Sequence, residues 1–390
     1  MPSDREAPLV SLLCSDLGRN NVIRLRPVAG ALAKNFRVQI VGPLFGNDEV
    51  FAPLREQLEV DAVRTRPHEE MRFADYRQLW RDISGLVRGD VLYAFKPLLS
   101  SYGAALYIRR HRRRPVILDI EDWDAAPFHQ LSLRGRYGRW RLRQLFRNQL
   151  DPVNTRLGEL FVSRADRRVV ASSFLQRRYG GTRVVQGIDP TEFEPEAYDA
   201  ASEREAFGLH PSTFVVLFAG TAWPHKGLPD LVEALRTLRA GSVGLVIAGS
   251  LNRSLEALLE RSGDLITYVG VRPHSEMPRL LAACDAVCLP QRDTPEAHAQ
   301  IPAKVFEAMA MAKPVIATPA SDLPEILRDC GILVPFGDSG ALAGAVHRLQ
   351  GDRALGRSLG RTAREQCLAR YTWDAMARPL FELLRPLAER

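Results

Sequence analysis

The stretch Gln300–Leu327 reads QIPAKVFEAMAMAKPVIATPASDLPEIL, and the order of its signals decides the fold. Pro302 precedes a short apolar run with helical spacing, the pair Lys313-Pro314 ends that run, and the apolar string PVIAT follows at once. A proline is tolerated at a helix start, where its missing N–H has no intrahelical partner, and it stops a helix that would otherwise continue. An unbroken apolar run of strand length marks a strand buried on both faces, as in a parallel sheet covered by helices. Glu307 falls at or near the first turn of the helix, where the dipole favours a carboxylate. It either stabilises the helix start or accepts hydrogen bonds from a pair of sugar hydroxyls, as acidic residues do for ribose in other doubly wound sheets.

The same alternation extends in both directions. The first half carries LVSLLCS, RVQIVGP, DVLYAF, PVILDI, VVAS and RVVQG, and the second TFVVLFAG, GLVIAGS, LITYVG, DAVCLP, KPVIATP and GILVPF, with helical patterns between them. This predicts two successive doubly wound parallel-sheet (Rossmann-like) α/β domains facing a cleft that would hold the binding site. The expected boundaries are a domain over 1–188, a Pro- and acid-rich linker over 189–210, a second domain over 211–370, and a C-terminal helical segment over 371–390. That last segment is amphipathic, is expected to be broken by Pro379 and Pro386, and would pack back on the N-terminal domain.

Composition bounds the function. The 390 residues are 46% hydrophobic and 25% charged, ordinary for a globular chain, and no run approaches a membrane span. The opening MPSDREAPLVSLLCSDLG does not read as an export signal, so a cytoplasmic protein is expected. The cysteines (Cys14, Cys284, Cys288, Cys330, Cys367) are odd in number and form no CxxC pair, which argues against a disulfide framework or a zinc site. A net charge of +7 asks for an anionic partner. Arginine concentrates at Arg109–Arg114 and again from Arg134 to Arg147, where Arg136, Arg139, Arg143 and Arg147 share a helical stripe beside Leu142, Leu145 and Phe146. Such a stripe can lie on an anionic membrane at its inner face, or be a solvated face over a core. No recognition helix or RNP-type strand supports nucleic-acid binding.

In FAGTAWPHKGLPDLVEALRTL a strand turns through Gly220 into a helix, with Lys226 beside Gly227. Free backbone N–H groups and a cation at a helix start suit a phosphate, although an isolated lysine there is more often a solvated loop residue.

The order of FAG-x5-KG, LVIAGS, YVG-VRP, CDAVCLP, PAKVFEAMAMAKPVIAT, ASDLPEIL, GILVPFGD and YTWDAMA resembles the donor half of family-4 glycosyltransferases of the GT-B fold, as does ADRRVVASSFLQRRYG followed by QGIDPTEF. The resemblance spans Arg164 to Ala377. It implies a metal-independent enzyme without cofactor that moves a hexosyl-type group, with retention, from a nucleotide-diphosphate sugar (UDP- or GDP-linked) to a hydroxyl acceptor such as a glycan, a lipid-linked acceptor or a secondary metabolite. The first domain would then bind the acceptor and the second the donor. By resemblance Glu307 holds the ribose hydroxyls, Lys226 neutralises the diphosphate, and Val271 and Arg272 face the nucleobase. The donor set also takes in Gly18, Gly220, Thr221, Gly227, Gly249, Glu296, His298, Ile301, Pro302, Ala303 and Lys304. The first glutamate of the family's Glu-x7-Glu motif is replaced by Ala299, and the arginine that commonly accompanies the lysine has no evident counterpart. Glu296, His298 or Lys304 would take over those contacts.

In the first half, Gly18 follows a strand and resembles the family's first glycine loop. Asp122 and Asp124 form a DxD triplet, which in GT-A glycosyltransferases would hold a divalent metal, a class that two α/β halves with the donor motifs in the second argue against. Asp122, at the end of a strand, would contact the acceptor, and His129 is the nearest candidate general base beside an ordinary surface role. Two alternatives stay open: a non-catalytic GT-B partner subunit, favoured by Ala299, and a nucleotide-sugar epimerase or phosphorylase of the same fold.

Overall fold

The computed structural model describes residues 7–128, 148–238, 241–251, 259 and 262–389. Two compact units divide the chain: residues 1–186 with 373–390, and residues 187–372.

The first unit is built on a seven-stranded, all-parallel sheet in the order β3-β2-β1-β4-β5-β6-β7. The strands are β1 (Leu9–Leu13), β2 (Arg37–Phe45), β3 (Asp61–Thr65), β4 (Val91–Phe95), β5 (Val116–Ile120), β6 (Arg167–Val170) and β7 (Thr182–Arg183). The central strands β4 and β5 are buried along their whole length, as unbroken apolar runs require. β3, which no apolar run announces, alternates between exposed and half-buried positions at the sheet edge. A strand with one wet face has no reason to be apolar throughout.

The second unit carries a six-stranded parallel sheet, β10-β9-β8-β11-β12-β13. Its strands are β8 (Phe214–Ala219), β9 (Val243–Ala248), β10 (Ile266–Gly270), β11 (Ala286–Leu289), β12 (Val315–Ala317) and β13 (Gly331–Leu333), one for each apolar run read in that half. In both sheets the chain works outward from its first strand in one direction and then returns to the other side. The resulting switch points lie between β1 and β4 and between β8 and β11, where doubly wound sheets bind ligands beyond the strand C-termini.

Two expectations about connecting segments need correction. Residues 189–210 are not a free linker. They belong to the second unit, where the helix Ala200–Ala206 is tied down by Glu203 to Arg279 (3.0 Å) and by Arg204 to Asp285. Acidic and proline-rich composition here reflects a surface helix with ion pairs rather than a tether. The C-terminal segment is also unbroken: Trp373–Ala388 is one helix with Pro379 and Pro386 inside it. Each proline removes a backbone hydrogen bond. Against that loss, Met376, Leu380, Leu384 and Leu387 are buried in the core of the first unit beside Val22, Leu25 and Val28 of the helix Val22–Leu32. Full burial of a leucine is worth roughly 1.5–3 kcal/mol, so the apolar face holds the helix in place. Gly30 makes room for it, since a Cβ there would fall 2.4 Å from the Trp373 ring.

All five cysteines are buried and outside disulfides. Among the described residues no helix is long and apolar enough to cross a membrane.

Candidate functional site

In the second unit the loops leaving β8 and β11 meet at the switch point. After β8 the chain turns at Gly220 (φ 124°) and passes through the short 3₁₀ turn Pro224–Lys226, reaching the helix Leu228–Arg236 by way of Gly227 (φ 70°). A Cβ on Gly227 would stand 1.8 Å from the Pro290 carbonyl oxygen just past β11, and one on Gly249 2.2 Å from the Gly220 oxygen. Both positions demand glycine because backbone touches backbone there. Arg292 then clasps the two loops: its N–H donates to His225 O at 2.8 Å and its guanidinium forks onto Asp230 at 2.8 and 2.6 Å. Lys226 donates to the side-chain oxygen of Gln300, at the entrance to the segment that carries Glu307. Thr221 accepts a hydrogen bond from Ser250 at 3.2 Å, joining the loop after β8 to the one after β9.

Glu307 lies in the first turn of the helix Lys304–Ala310 and is 4% exposed. Lys304 Nζ straddles its carboxylate at 2.9 and 3.1 Å, and His274 Nε2 lies 3.3 Å from Oε1. Burial by itself would raise the carboxyl pKa, but the Lys304 charge and the His274 contact override it and hold the group at about 2. Glu307 is therefore a permanent anion at neutral pH. His274 follows β10 and is packed edge-on against Phe193 at 5.7 Å, so it links the loop after β10 to the helix of Glu307. On that loop Val271 is exposed, while Arg272 is turned back onto the Val269 carbonyl at 2.8 Å and lies 3.5 Å from Glu276.

The remaining residues of the expected donor set fall into two groups. Pro302 and Ala303 start the Glu307 helix, their carbonyls accepting from Val305 and Phe306 at 3.1 Å each, directly after Ile301. Glu296 and His298 sit on the short helix Pro295–Ala299 capped by Thr294, with His298 bound to Asp293 at 2.6 Å and edge-on to Phe336. Ala299 is 1% exposed, so its methyl fills core where the motif would place a carboxylate. His274 and Gln300 escaped the sequence reading. Gln300 was adjacent to the motif, but nothing local marks a histidine as the partner of a glutamate 33 residues on.

Gly18 stands apart from this cluster, in the first unit. Its N–H is taken by Asp16 at 2.9 Å and a Cβ would meet Asp48 at 2.8 Å. An aspartate two residues earlier thus closes an Asx turn on it. The DxD carboxylates lie past β5. Lys96, past β4 and in the left-handed region (φ 64°), reaches Asp122 at 2.6 Å, Asp124 at 3.0 Å and Glu121 at 3.9 Å. Burial would lower its pKa, but the three carboxylates hold it well above the ordinary lysine value. Burial pushes Glu121 up to about 8, against the pull of Lys96. His129 and the stretch Arg134–Arg147 lie outside the described residues.

Comparison with known proteins agrees with this architecture. Residues 213–352 match the family model described as Glycosyl transferases group 1. The chain is 30% identical over 213 residues, 52% of its length, to the amylovoran biosynthesis glycosyltransferase AmsK of Erwinia amylovora, of which that covers 50%. It is likewise 30% identical over 211 residues to a GDP-mannose-dependent alpha-(1-6)-phosphatidylinositol monomannoside mannosyltransferase of Mycobacterium tuberculosis, covering 51% of this chain and 54% of the other. The chain thus spans about half the length of the curated relatives it matches. Among solved structures, Anabaena HepE in complex with UDP and glucose superposes with a TM-score of 0.73 at 19% identity, over 97% of this chain and 100% of that one. Sucrose-phosphate synthase from Thermosynechococcus elongatus gives 0.74 at 21%, over 98% and 99%. At such identities the likeness speaks for the fold: two doubly wound parallel-sheet units of the GT-B class.

Proposed function

We propose that this chain is a metal-independent, retaining glycosyltransferase that moves a hexosyl-type group from a nucleotide-diphosphate sugar to a hydroxyl acceptor. The observation that carries the reading is Glu307, a buried carboxylate kept ionised by Lys304 and His274 in the segment that meets the switch-point loops. An ionised, preoriented carboxylate is the acceptor a vicinal diol needs, and hydrogen bonds to a charged group are worth about 1.5–3 kcal/mol each. In this reading Glu307 takes the ribose hydroxyls and Val271 and Arg272 border the base. Lys226, with the start of the helix Leu228–Arg236, faces the diphosphate. As the glycosidic bond breaks, negative charge grows on the departing diphosphate, and these fixed cations and backbone N–H groups stabilise it without reorganising. Lys304 is a second cation for that task, and Glu296 and His298 border the sugar where Ala299 supplies no carboxylate. UDP- and GDP-sugars are the favoured donors, the former bound in the HepE complex with UDP-glucose and the latter named for the mannosyltransferase relative. In the first unit Asp122 and Asp124 accept hydrogen bonds from the acceptor.

Ala299 favours a second reading, a non-catalytic partner subunit, which predicts little nucleotide-sugar binding. Calorimetric titration of the chain with UDP-, GDP-, ADP- and TDP-sugars in EDTA separates the two. Saturable binding that Glu307→Ala abolishes supports the donor site. Binding only after magnesium is added, or no binding at all, refutes the metal-independent transferase.

A further inference from the structure

We propose that a basic, apolar-edged pocket on the first unit docks an anionic lipid surface. The pocket has a volume of about 460 Å³ and is lined by Leu106, Arg109, Arg110, Phe161 and Arg164, within the range of small-ligand sites. It lies between the helix Ala104–Arg112 and the end of the helix Pro152–Leu160.

The three arginines do different things. Arg109 builds the wall: it donates to the Arg164 carbonyl and lies 3.4 Å from Asp166, pinning the two segments together. Arg110 and Arg164 are exposed, and among the described residues neither guanidinium has an acidic partner. Helix dipole alone accounts for cations at the end of Ala104–Arg112, but not for Arg164, which comes from a different segment to line the same pocket. The lining residue Phe161 is 41% exposed, and its neighbour in the chain, Leu160, is 77% exposed. A site for a free anion has no use for an exposed phenylalanine in its lining with an exposed leucine next to it in the chain, and nucleic acid offers nothing for Leu160 to enter. A bilayer satisfies both features: its phosphates meet the guanidinium groups and its interfacial zone receives the two apolar side chains. The occupant is therefore a membrane bearing anionic phospholipid.

The test is co-sedimentation of the chain with vesicles of phosphatidylcholine, and of phosphatidylcholine with about one-third phosphatidylglycerol, at low and high salt. Binding is expected only to the anionic vesicles, weakening as salt rises. Each of Arg110→Gln and Arg164→Gln should lower the partition coefficient about fivefold, and Leu160→Asn should lower it further at unchanged salt dependence. All three side chains are exposed, and unchanged thermal unfolding of each variant checks that it folds. Anionic-vesicle binding that is absent, or equal in the Arg110→Gln/Arg164→Gln variant and the parent, overturns the proposal. So does release by inorganic phosphate or by a single-stranded oligonucleotide at constant ionic strength, which would make the pocket a site for a soluble anion.

Discussion

Two charge clusters sit past the strand C-termini, one in each unit, with opposite balance. In the second unit one carboxylate, Glu307, faces Lys304 and His274. In the first, one lysine, Lys96, faces Asp122, Asp124 and Glu121. Burial acts on both, yet it leaves Glu307 ionised and drives Glu121 up to about 8. The same parallel-sheet topology thus presents a cation-rich end in one unit and a carboxylate-rich end in the other. Under the proposed function the first would take the charged diphosphate and the second a neutral polyol.

The sharpest way to break this comparison is to remove Lys96 from one cluster and Glu307 from the other. Lys96→Met strips the shared cation from the partly buried Asp122 and Asp124 and should destabilise the chain by about 3 kcal/mol. Urea unfolding measures this, and adding Asp122→Asn and Asp124→Asn should recover much of the loss. Glu307→Ala should lower kcat/KM for a nucleotide-sugar at least about a hundredfold through lost charge-assisted hydrogen bonds. Asp122→Asn in the same assay should leave nucleotide binding unchanged. If Asp122→Asn weakens nucleotide binding as much as Glu307→Ala does, the two ends do not divide the work.

Acid titration sharpens the contrast. The folded pKa of Glu307, about 2, lies below its ordinary value of 4.5, so its contribution is complete above pH 4.5 and is lost as pH falls toward 2. That contribution reaches about 3 kcal/mol, and the stability gap between the parent and Glu307→Gln should close over that window in urea melts at stepped pH. Glu121 runs the other way. Its folded pKa lies above 4.5, so the folded state holds a proton the unfolded state has released, and stability falls as pH rises from 4.5 to about 8. Glu121→Gln should therefore stabilise the chain at pH 8 and change little at pH 4. The smallest effect belongs to the acceptor side: Asp122→Asn should raise the acceptor KM by about tenfold or less, the value of one charged hydrogen bond. An unchanged KM would remove Asp122 from acceptor recognition.

Much of this was legible in the residues, for reasons that differ by region. All six strands of the second unit were announced by apolar runs because a parallel strand covered on both faces can hold little else. β3 escaped because its alternating burial permits Asp61 and Arg64. The 189–210 segment read as a tether because charge and proline look alike in a linker and in an ion-paired surface helix. Pro379 and Pro386 argued for a broken helix because local rules cannot weigh one lost hydrogen bond against the buried leucines around it.

By itself the sequence determined the two doubly wound units, the glycine turn at Gly220, and Glu307 with Lys304 one helical turn before it, since each follows from period, turn chemistry or short spacing. Only the tertiary structure decided that His274 completes the Glu307 cluster, that Gln300 meets Lys226, that Lys96 occupies the DxD carboxylates, and that Gly18 is closed by Asp16. Except for that last turn, these partners lie from 26 to 74 residues apart in the chain. Parallel strands joined by crossover helices bring such residues together at the sheet ends, and no local pattern records which of them will meet.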